Sequence, residues 1–150
     1  MTPRVKNAGQ LPGVYPAIQA IMFGIHQSGL PKSVLDLVGL RVGQMNECAL
    51  CVSQSTNIWS ADAAEQNRLI SVADWQNETC FTETERVALA MTEAVTRLDV
   101  QYDSVPDALW MRASAAFNET QLEALILLIA MMNMFTRINV ATRKVTADWA

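Results

Sequence analysis

Apolar residues recur at helical spacing along nearly the whole chain, and this pattern restricts the fold more than any other feature. Between residues 14 and 27, apolar side chains including Ile18 and Ile25 fall on one helical face, and Gly29 is suited to end that helix. No stretch alternates apolar and polar residues as a half-buried strand would. The sequence therefore predicts an all-α fold of six or seven helices, in a single domain over residues 1–150.

Residues that commonly begin helices precede the later apolar segments. The expected helix starts are Ser33, Asn46 (for a third helix from Glu47 to about Trp59), Asp62, Thr82, Ser104 with Pro106 (for a helix towards Phe117), and Asn118 (for a last helix from Glu119 to about Lys144). The last of these helices is apolar on most faces. We therefore expect it to lie at the centre of the bundle or of an oligomer.

The composition excludes some classes of partner. Lys and Arg number 11 against 15 Asp and Glu, which gives a formal net charge of −4 and argues against a nucleic-acid-binding protein. Only 17% of the residues are charged while 51% are hydrophobic, so we expect another subunit to cover part of the apolar surface. The sequence thus predicts a homo-oligomer.

Neither a secretory signal nor a membrane-spanning segment is expected. The longest apolar run, Ala124 to Met132, is too short to cross a bilayer as a helix, and the N-terminal residues lack a compact apolar segment. We therefore expect no membrane partner and a reducing, cytoplasmic location. In that compartment the 3 cysteines do not form a disulfide framework, but are structural, metal-binding or redox-active.

Cys48 and Cys51 form the one spacing that carries obvious chemistry. Residues three apart on a helix share a face, and their Cα separation falls within disulfide range. Near a helix start, free N–H groups and the helix dipole favour a thiolate, and they favour it more at Cys48. A thiolate can reduce a peroxide or exchange with another disulfide. A thioredoxin-type site is not expected, because it follows a strand.

Two other interpretations of the cysteines remain open. Both cysteines can be small buried apolar residues with no chemistry. A zinc site would need four ligands, and Cys80 and His26 are the available partners outside the pair. For Cys80 we expect a buried structural thiol, and for His26 a favourable interaction with the end of its helix.

Asp36 and Ser55 are predicted to lie beside the pair. If the second and third helices fold back as an antiparallel hairpin at Asn46, these two residues stand at similar distances from the turn. Ser55 is also four residues after Cys51, on the same helical face. The spacing therefore predicts a row of carboxylate, hydroxyl and thiol. Asp36 has a second explanation as a first-turn acid that interacts with its own helix dipole.

The segment from Leu37 to Cys51 resembles the helix–turn–CxxC signature of the alkylhydroperoxidase D-like (AhpD-like) and carboxymuconolactone decarboxylase family. The likeness covers most of the chain and continues through Trp75, Phe81-Thr82, Glu85-Arg86, Ala88-Leu89, Thr92-Glu93, Val105-Pro106, Phe117, Ile129-Ala130, Asn133, Phe135, Arg137 and Asn139-Val140-Ala141. Most of these positions belong to the core and the helices, so they favour the fold more strongly than a particular activity.

The resemblance to the peroxidase branch implies a thiol-dependent reduction of hydroperoxides. It assigns Cys51 as the attacking thiol and Cys48 as the resolving thiol, and it places a proton relay of glutamate and histidine beside them. In this chain the glutamate position is Asp36 and the histidine position is Ser55. Serine cannot take a thiol proton near neutral pH or carry a positive charge, so we expect a weakened relay.

The family therefore implies a hydroperoxide reductase or disulfide oxidoreductase that is regenerated by an external dithiol. It implies no metal, flavin or haem cofactor, and it is typical of trimers or hexamers. One alternative is a carboxymuconolactone decarboxylase-like enzyme without redox chemistry. Another is a non-catalytic oligomeric scaffold on the same fold.

Overall fold

A computed structural model describes residues 2–5, 11–57, 63–98 and 103–144. These ranges contain helices and no strand, and the predicted all-α fold is confirmed. The helices are α1 (Val14–Gln27), α2 (Lys32–Met45), α3 (Ala49–Asn57), α4 (Ala63–Ser71), α5 (Glu83–Arg97), α6 (Asp107–Ala116) and α7 (Glu119–Thr142), with a 3-10 turn at Val72–Asp74 between α4 and α5. The predicted helix end near Trp59 and the predicted cap at Asp62 lie outside the described residues.

Two helix starts carry the capping box that the sequence predicts. Thr82 accepts a hydrogen bond from the N–H of Glu85, and the Glu85 carboxylate accepts one from the N–H of Thr82. Asn118 and Gln121 make the same reciprocal pair at the start of α7. Each box satisfies two N–H groups that the helix itself leaves unpaired, which fixes where α5 and α7 begin.

Two other predicted starts are wrong. Ser33 lies inside α2, which begins one residue earlier after Pro31, so Ser33 is not the capping residue. Asn46 does not begin α3, but is the C-cap residue of α2. Ser33 does not cap α2 because Pro31, directly before Lys32, already fixes where that helix begins. Asn46 does not begin α3 because two residues of turn separate α2 from Cys48.

The core forms where α2 packs against α5 and α7. Its fully buried side chains include Val34 and Val38 from α2, Met91 from α5 and Leu125 and Ile129 from α7. A second apolar cluster lies between α2, α5 and the 3-10 turn, and contains Leu37, Leu40, Leu69, Val72, Trp75, Phe81 and Leu89. Because α2 contributes to both clusters, the hairpin that it forms with α3 is held on a rigid support.

The helix α7 is longer than its apolar run suggests. Its 24 residues are long and apolar enough to cross a membrane by length and composition alone, which corrects the expectation that this segment is too short. However, 44% of its apolar window is buried inside the protein, and the helix contacts α1, α2, α5 and α6. The residues that α7 buries, such as Leu125 and Ile129, therefore belong to the core of the bundle, while Leu127 and Val140 on the same helix are exposed.

Candidate active site

The turn between α2 and α3 brings the cysteine pair into position. The N–H of Glu47 donates to the carbonyl of Gln44 at 3.1 Å, and the N–H of Cys48 donates to the carbonyl of Gly43 at 3.0 Å. These two bonds form a Schellman motif, which requires a left-handed residue just beyond the helix. Glu47 occupies that position with φ 52°. The turn reverses the chain within two residues and places Cys48 directly before Ala49, where α3 begins.

Cys48 acts as the capping residue of α3. Its carbonyl accepts the first helical hydrogen bond, from the N–H of Val52 at 3.0 Å, and its Sγ accepts from the N–H of Cys51 at 3.3 Å. A side-chain acceptor bonded to the third N–H of the helix is the usual arrangement of an N-cap. Here a sulfur atom takes the role that a serine or aspartate oxygen normally fills. The N–H group and the helix dipole both favour negative charge on Cys48.

Cys48 and Cys51 form a disulfide bond, with their Cα atoms 5.2 Å apart. The spacing of the two residues in the sequence is compatible with this disulfide. The two residues differ in exposure, because Cys48 is only 4% exposed whereas Cys51 is partly exposed. Cys51 is therefore the more exposed residue of the pair.

Two glycines of α2 allow α3 to approach closely. A Cβ at Gly43 would lie 3.2 Å from the Cys51 Cβ and 3.3 Å from the backbone nitrogen of Val52. At Gly39, a Cβ would lie 3.7 Å from the Ser55 Oγ and 3.8 Å from the Met132 Sδ. The α2 surface opposite the reactive pair is therefore backbone, and Gly43 is the tighter of the two contacts.

Ser55 and Asp36 are not level with each other. Gly39 is the α2 residue opposite Ser55, so Asp36 lies almost one helical turn further from the disulfide than the sequence predicts. The Ser55 hydroxyl donates to the carbonyl of Cys51 at 3.0 Å, and the Asp36 carboxylate accepts from Lys32 Nζ at 2.9 Å. Burial of Asp36 raises its pKa, although the Lys32 hydrogen bond opposes this effect. The row of carboxylate, hydroxyl and thiol is therefore not joined by hydrogen bonds in this disulfide form.

Asn139 is the polar side chain that α7 places against the disulfide. Its Nδ2 donates to the Cys51 Sγ at 3.5 Å. The residue is 4% exposed, and its Oδ1 has no hydrogen-bond partner among the described residues. Leaving a buried acceptor unpaired costs about 1–3 kcal/mol, so such groups call for an explanation. The sequence showed Asn139 only as a matching position in the resemblance and gave no signal that it touches a cysteine.

A second asparagine stabilises the turn. Asn46 Nδ2 donates to the Val42 carbonyl at 2.9 Å and to Asn133 Oδ1 at 3.1 Å. Asn133 Oδ1 also accepts from Arg137 Nη1 at 2.7 Å, and its Nδ2 donates to the Thr96 hydroxyl at 3.0 Å. This network joins the end of α2 to α5 and α7, so the residues just before Cys48 are held from two sides.

The other two candidate residues, Cys80 and His26, are not among the described hydrogen-bond partners of the disulfide, although His26 lies close enough to Asp36 to help lower the pKa of that carboxyl. Cys80 is exposed, which corrects the expectation of a buried thiol, because it lies in the bend before the Thr82 cap and not inside the helix that follows. His26 is exposed in the last turn of α1, as the sequence suggests. Across the described ranges, no group of three or more His, Cys, Asp or Glu residues is arranged to hold a metal ion.

The buried charges of the molecule lie away from the disulfide. Arg41 bonds the Glu93 carboxylate at 2.5 Å, and Trp75 Nε1 donates to the same oxygen at 2.9 Å. Burial alone would raise the pKa of Glu93, but the hydrogen bonds from Trp75 and Arg41 outweigh it and lower that pKa. The pKa of Glu85 is lowered for the same reason, because bonds from Arg68 and the Thr82 N–H outweigh burial. These pairs stabilise the packing of α2, α4 and α5.

Comparison with known proteins identifies the class to which this helical bundle belongs. The family model of the carboxymuconolactone decarboxylase family matches residues 12–94, more than half of the chain and including the cysteine pair. The chain belongs to this family. Two bacterial relatives are similar to it, both described as uncharacterized: YdfG of Bacillus subtilis, 29% identical over 77% of each chain, and YnjA of Escherichia coli, 30% identical over 89% of this chain and 72% of the other.

Solved structures share the fold. A protein of unknown function from Agrobacterium tumefaciens, provisionally assigned to the antioxidant defence protein AhpD, superposes with a TM-score of 0.83 at 24% identity over 98% of this chain and 99% of the other. The debrominase Bmp8 superposes with a TM-score of 0.71 at 18% identity, over 91% of this chain and 73% of the other. A cysteine-to-alanine variant of Bmp8 has been solved with 2,3,4-tribromopyrrole. The fold therefore occurs with more than one assigned chemistry.

Proposed function

We propose that this protein is a thiol-dependent hydroperoxide reductase that uses Cys48 and Cys51 as a redox pair. The observation that carries the proposal is the disulfide between Cys48, a buried residue that caps α3, and Cys51, a partly exposed residue in the first turn of α3. Membership of a family that includes enzymes is consistent with this activity.

The reaction has two steps, both centred on Cys51. In the first, the Cys51 thiolate attacks one oxygen of the hydroperoxide and the O–O bond breaks, which leaves a sulfenic acid on Cys51 and an alkoxide that takes up a proton. In the second, the Cys48 thiolate attacks the Cys51 sulfur, the S–O bond breaks, and hydroxide leaves as water after protonation. The hydroperoxide is thereby reduced to an alcohol while the two thiols are oxidised to a disulfide.

An external dithiol completes the cycle. Its thiolate attacks the sulfur of Cys51, the more exposed residue of the pair, and Cys48 is the leaving group. A leaving thiol of lower pKa departs faster, and the N–H of Cys51 favours the Cys48 thiolate at 3.3 Å. The difference in exposure and the capping contact therefore support the same assignment of roles in both directions of the cycle. A dithiol system of this kind is found in a reducing compartment, so we propose a cytoplasmic location.

A count of free thiols tests the proposal. Cys80 is exposed and would react on its own, so the experiment uses Cys80→Ser as its background. After one equivalent of hydrogen peroxide or an alkyl hydroperoxide, we expect two thiols per chain to be lost and to be recovered with dithiothreitol. In the matched control, Cys80→Ser with Cys51→Ser, the remaining thiol should not be consumed at that rate.

Other results would replace the proposal with one of its alternatives. Two thiols that stay reduced at every pH, while alkylating agents still reach Cys51, would favour a non-redox enzyme or a scaffold. Bromide release from 2,3,4-tribromopyrrole without hydroperoxide turnover would favour the chemistry for which Bmp8 is named. Both measurements use the same protein preparation, so the outcomes can be compared directly.

We also propose that the protein assembles into a trimer or hexamer. Exposed apolar side chains support this, with Leu127 43% and Val140 58% exposed on α7 and Phe23 66% exposed on α1. Large apolar side chains at the surface of neighbouring helices are typical of protein–protein contacts. Light scattering that gives the mass of a monomer at micromolar concentration would reject this assembly.

A further inference from the structure

We propose that the side-chain amide of Asn139 is a catalytic hydrogen-bond donor that stabilises the Cys51 thiolate in the reduced enzyme. The inference rests on the proposed function, because it concerns the same sulfur. It adds a residue from α7 to a site that is otherwise built by α2 and α3. It also answers a chemical question raised by Ser55, namely what assists Cys51 where a histidine is missing.

The first observation is the contact itself. Asn139 Nδ2 lies 3.5 Å from the Cys51 Sγ while that sulfur is part of a disulfide. A disulfide sulfur is a weak acceptor, and a thiolate at the same place is a strong one, because a charged acceptor strengthens a hydrogen bond. The donor is therefore in place before the charge that it would bind, so little reorganisation is needed when the disulfide is reduced.

The second observation is the unpartnered oxygen of the same amide. Asn139 Oδ1 is buried and has no hydrogen-bond partner among the described residues. If the residue served packing alone, an apolar side chain of the same shape would avoid this cost. The sulfenic acid formed on Cys51 has a hydroxyl that can donate to Oδ1. One amide thus has a donor for the thiolate and an acceptor for the product of its oxidation.

Among the described contacts of Cys51, the side-chain amide of Asn139 is the main neutral hydrogen-bond donor that can stabilise the thiolate. On α2 the residue that faces Cys51 is Gly43, and on α7 it is Asn139, neither of which titrates. The titratable neighbour is Cys48, whose own N–H donor is the backbone of Cys51. Asp36 lies almost two turns along α2 from Gly43 and is paired with Lys32. No cation among the described contacts of Cys51 takes the place of the absent histidine.

The test measures the Cys51 thiol in a background of Cys48→Ser and Cys80→Ser, so that one cysteine remains. The rate of alkylation by iodoacetamide is followed against pH for this protein and for the variants Asn139→Leu and Asn139→Ala. Without the amide, we expect the pH midpoint of alkylation to rise by about one unit, which leaves about tenfold less thiolate at neutral pH. The control is Ala141→Ser, an exposed neighbour on α7 for which no shift is expected.

A second measurement needs no substitution at Asn139. In the reduced single-cysteine protein, the NMR signals of the Asn139 side-chain amide should move with pH at the same midpoint as alkylation. An unchanged alkylation midpoint in folded variants, or amide signals that do not follow the Cys51 titration, would overturn the inference. Neither measurement uses a peroxide, so this inference can fail while the hydroperoxide activity of the two-cysteine protein stands, and the reverse.

With both cysteines present, the amide should also affect catalysis in a characteristic way. Asn139→Leu should lower the rate of peroxide reduction about tenfold at pH 7, and the rate should recover as the pH rises and the thiolate forms without assistance. A merely structural role would lower the rate equally at all pH values. A pH-independent loss of rate would therefore contradict the proposed hydrogen bond.

Discussion

The disulfide end of the α2–α3 hairpin and the α2–α5 interface use opposite means to hold polar groups inside the same protein. At the α2–α5 interface, buried charges meet directly, as Arg41 meets Glu93 at 2.5 Å. At the disulfide, the described contacts of both sulfurs are neutral donors, the N–H of Cys51 and the amide of Asn139. The charges of the first region are neutralised by each other and stabilise the fold. The neutral dipoles of the second remain available for a charge that appears only in the reduced state.

This difference predicts which substitutions damage the fold. Glu93→Ala leaves Arg41 and the Trp75 indole N–H without their shared acceptor in a buried place. Removal of one partner from a buried pair costs about 3–5 kcal/mol of unfolding free energy, the largest effect expected here. Urea denaturation measures it. The matched control is Glu83→Ala, which breaks the exposed pair with Arg112 and should cost less than about 1 kcal/mol.

The same carboxylates predict how stability depends on pH. The folded-state pKa values of Glu85 and Glu93 are lowered, so their contribution is complete above the ordinary glutamate pKa of about 4.3 and is lost as the pH falls through the lower folded values. The contribution of Asp36 to stability depends on pH in the opposite direction. Its raised pKa means that its contribution is present at low pH and is lost as the pH rises through the raised value. Unfolding followed from pH 3 to 7 should show a weaker acid loss in Glu93→Gln, and Asp36→Asn should remove the loss at higher pH.

A titratable group added beside the disulfide tests whether the neutral contacts of that region limit its reactivity. Ser55→His places an imidazole one helical turn from Cys51, where a base can take the thiol proton and remain charged beside the thiolate. General-base assistance contributes about 10²–10⁴-fold, and the low end is expected because Gly39 and not Asp36 lies opposite position 55. The wild type should therefore react slowly with peroxide at pH 7 and faster at alkaline pH, whereas Ser55→His should be faster at pH 7. A wild type that is already fast at pH 7, with no gain in the variant, would show that another group supplies the base.

The close approach at Gly43 provides the next test. In Gly43→Ala the new Cβ meets the Cys51 Cβ and the backbone of Val52, which cannot move away as a flexible side chain could. We expect a loss of about 1–3 kcal/mol and a slower re-formation of the disulfide. Gly24→Ala is the control, because nothing lies within 4 Å of its Cβ and a helical alanine should instead stabilise by about 0.5–1 kcal/mol. A harmless Gly43→Ala would contradict the tight contact.

The parts of this structure that follow local rules could be predicted from sequence. The capping boxes at Thr82 and Asn118 and the disulfide spacing of Cys48 and Cys51 depend on residues within one helical turn, so the pattern contains them. The start of α3 could not be placed, since Asn46 satisfies the same capping pattern. In the structure Asn46 is instead the C-cap of α2, and its side-chain amide bonds Asn133, which is 87 residues away and is not visible to a local pattern.

The candidate site shows the same division. Cys51 and Ser55 are four residues apart and their shared helical face is a local fact, but the residue opposite Ser55 depends on where the turn between the two helices is centred. The turn is centred on Glu47 and not on Asn46, so Gly39 and not Asp36 faces Ser55. Asn139 comes from a helix 88 residues away in sequence, and no local spacing relates it to Cys51.

The smallest effect concerns the turn that joins the two regions. Glu47 is exposed and holds φ 52° in the Schellman motif, a conformation that costs an L-residue about 1–2 kcal/mol and costs glycine little. Glycine loses about 0.5–1 kcal/mol more conformational entropy on folding, so Glu47→Gly should stabilise the protein by at most about 1.5 kcal/mol. A first control, Glu47→Gln, keeps the backbone strain and removes the charge. A second control, Glu123→Gly, places glycine at an exposed position inside α7 and should destabilise the protein by about 1 kcal/mol. If Glu47→Gln stabilised as much as Glu47→Gly, charge beside Cys48 rather than backbone conformation would explain the gain.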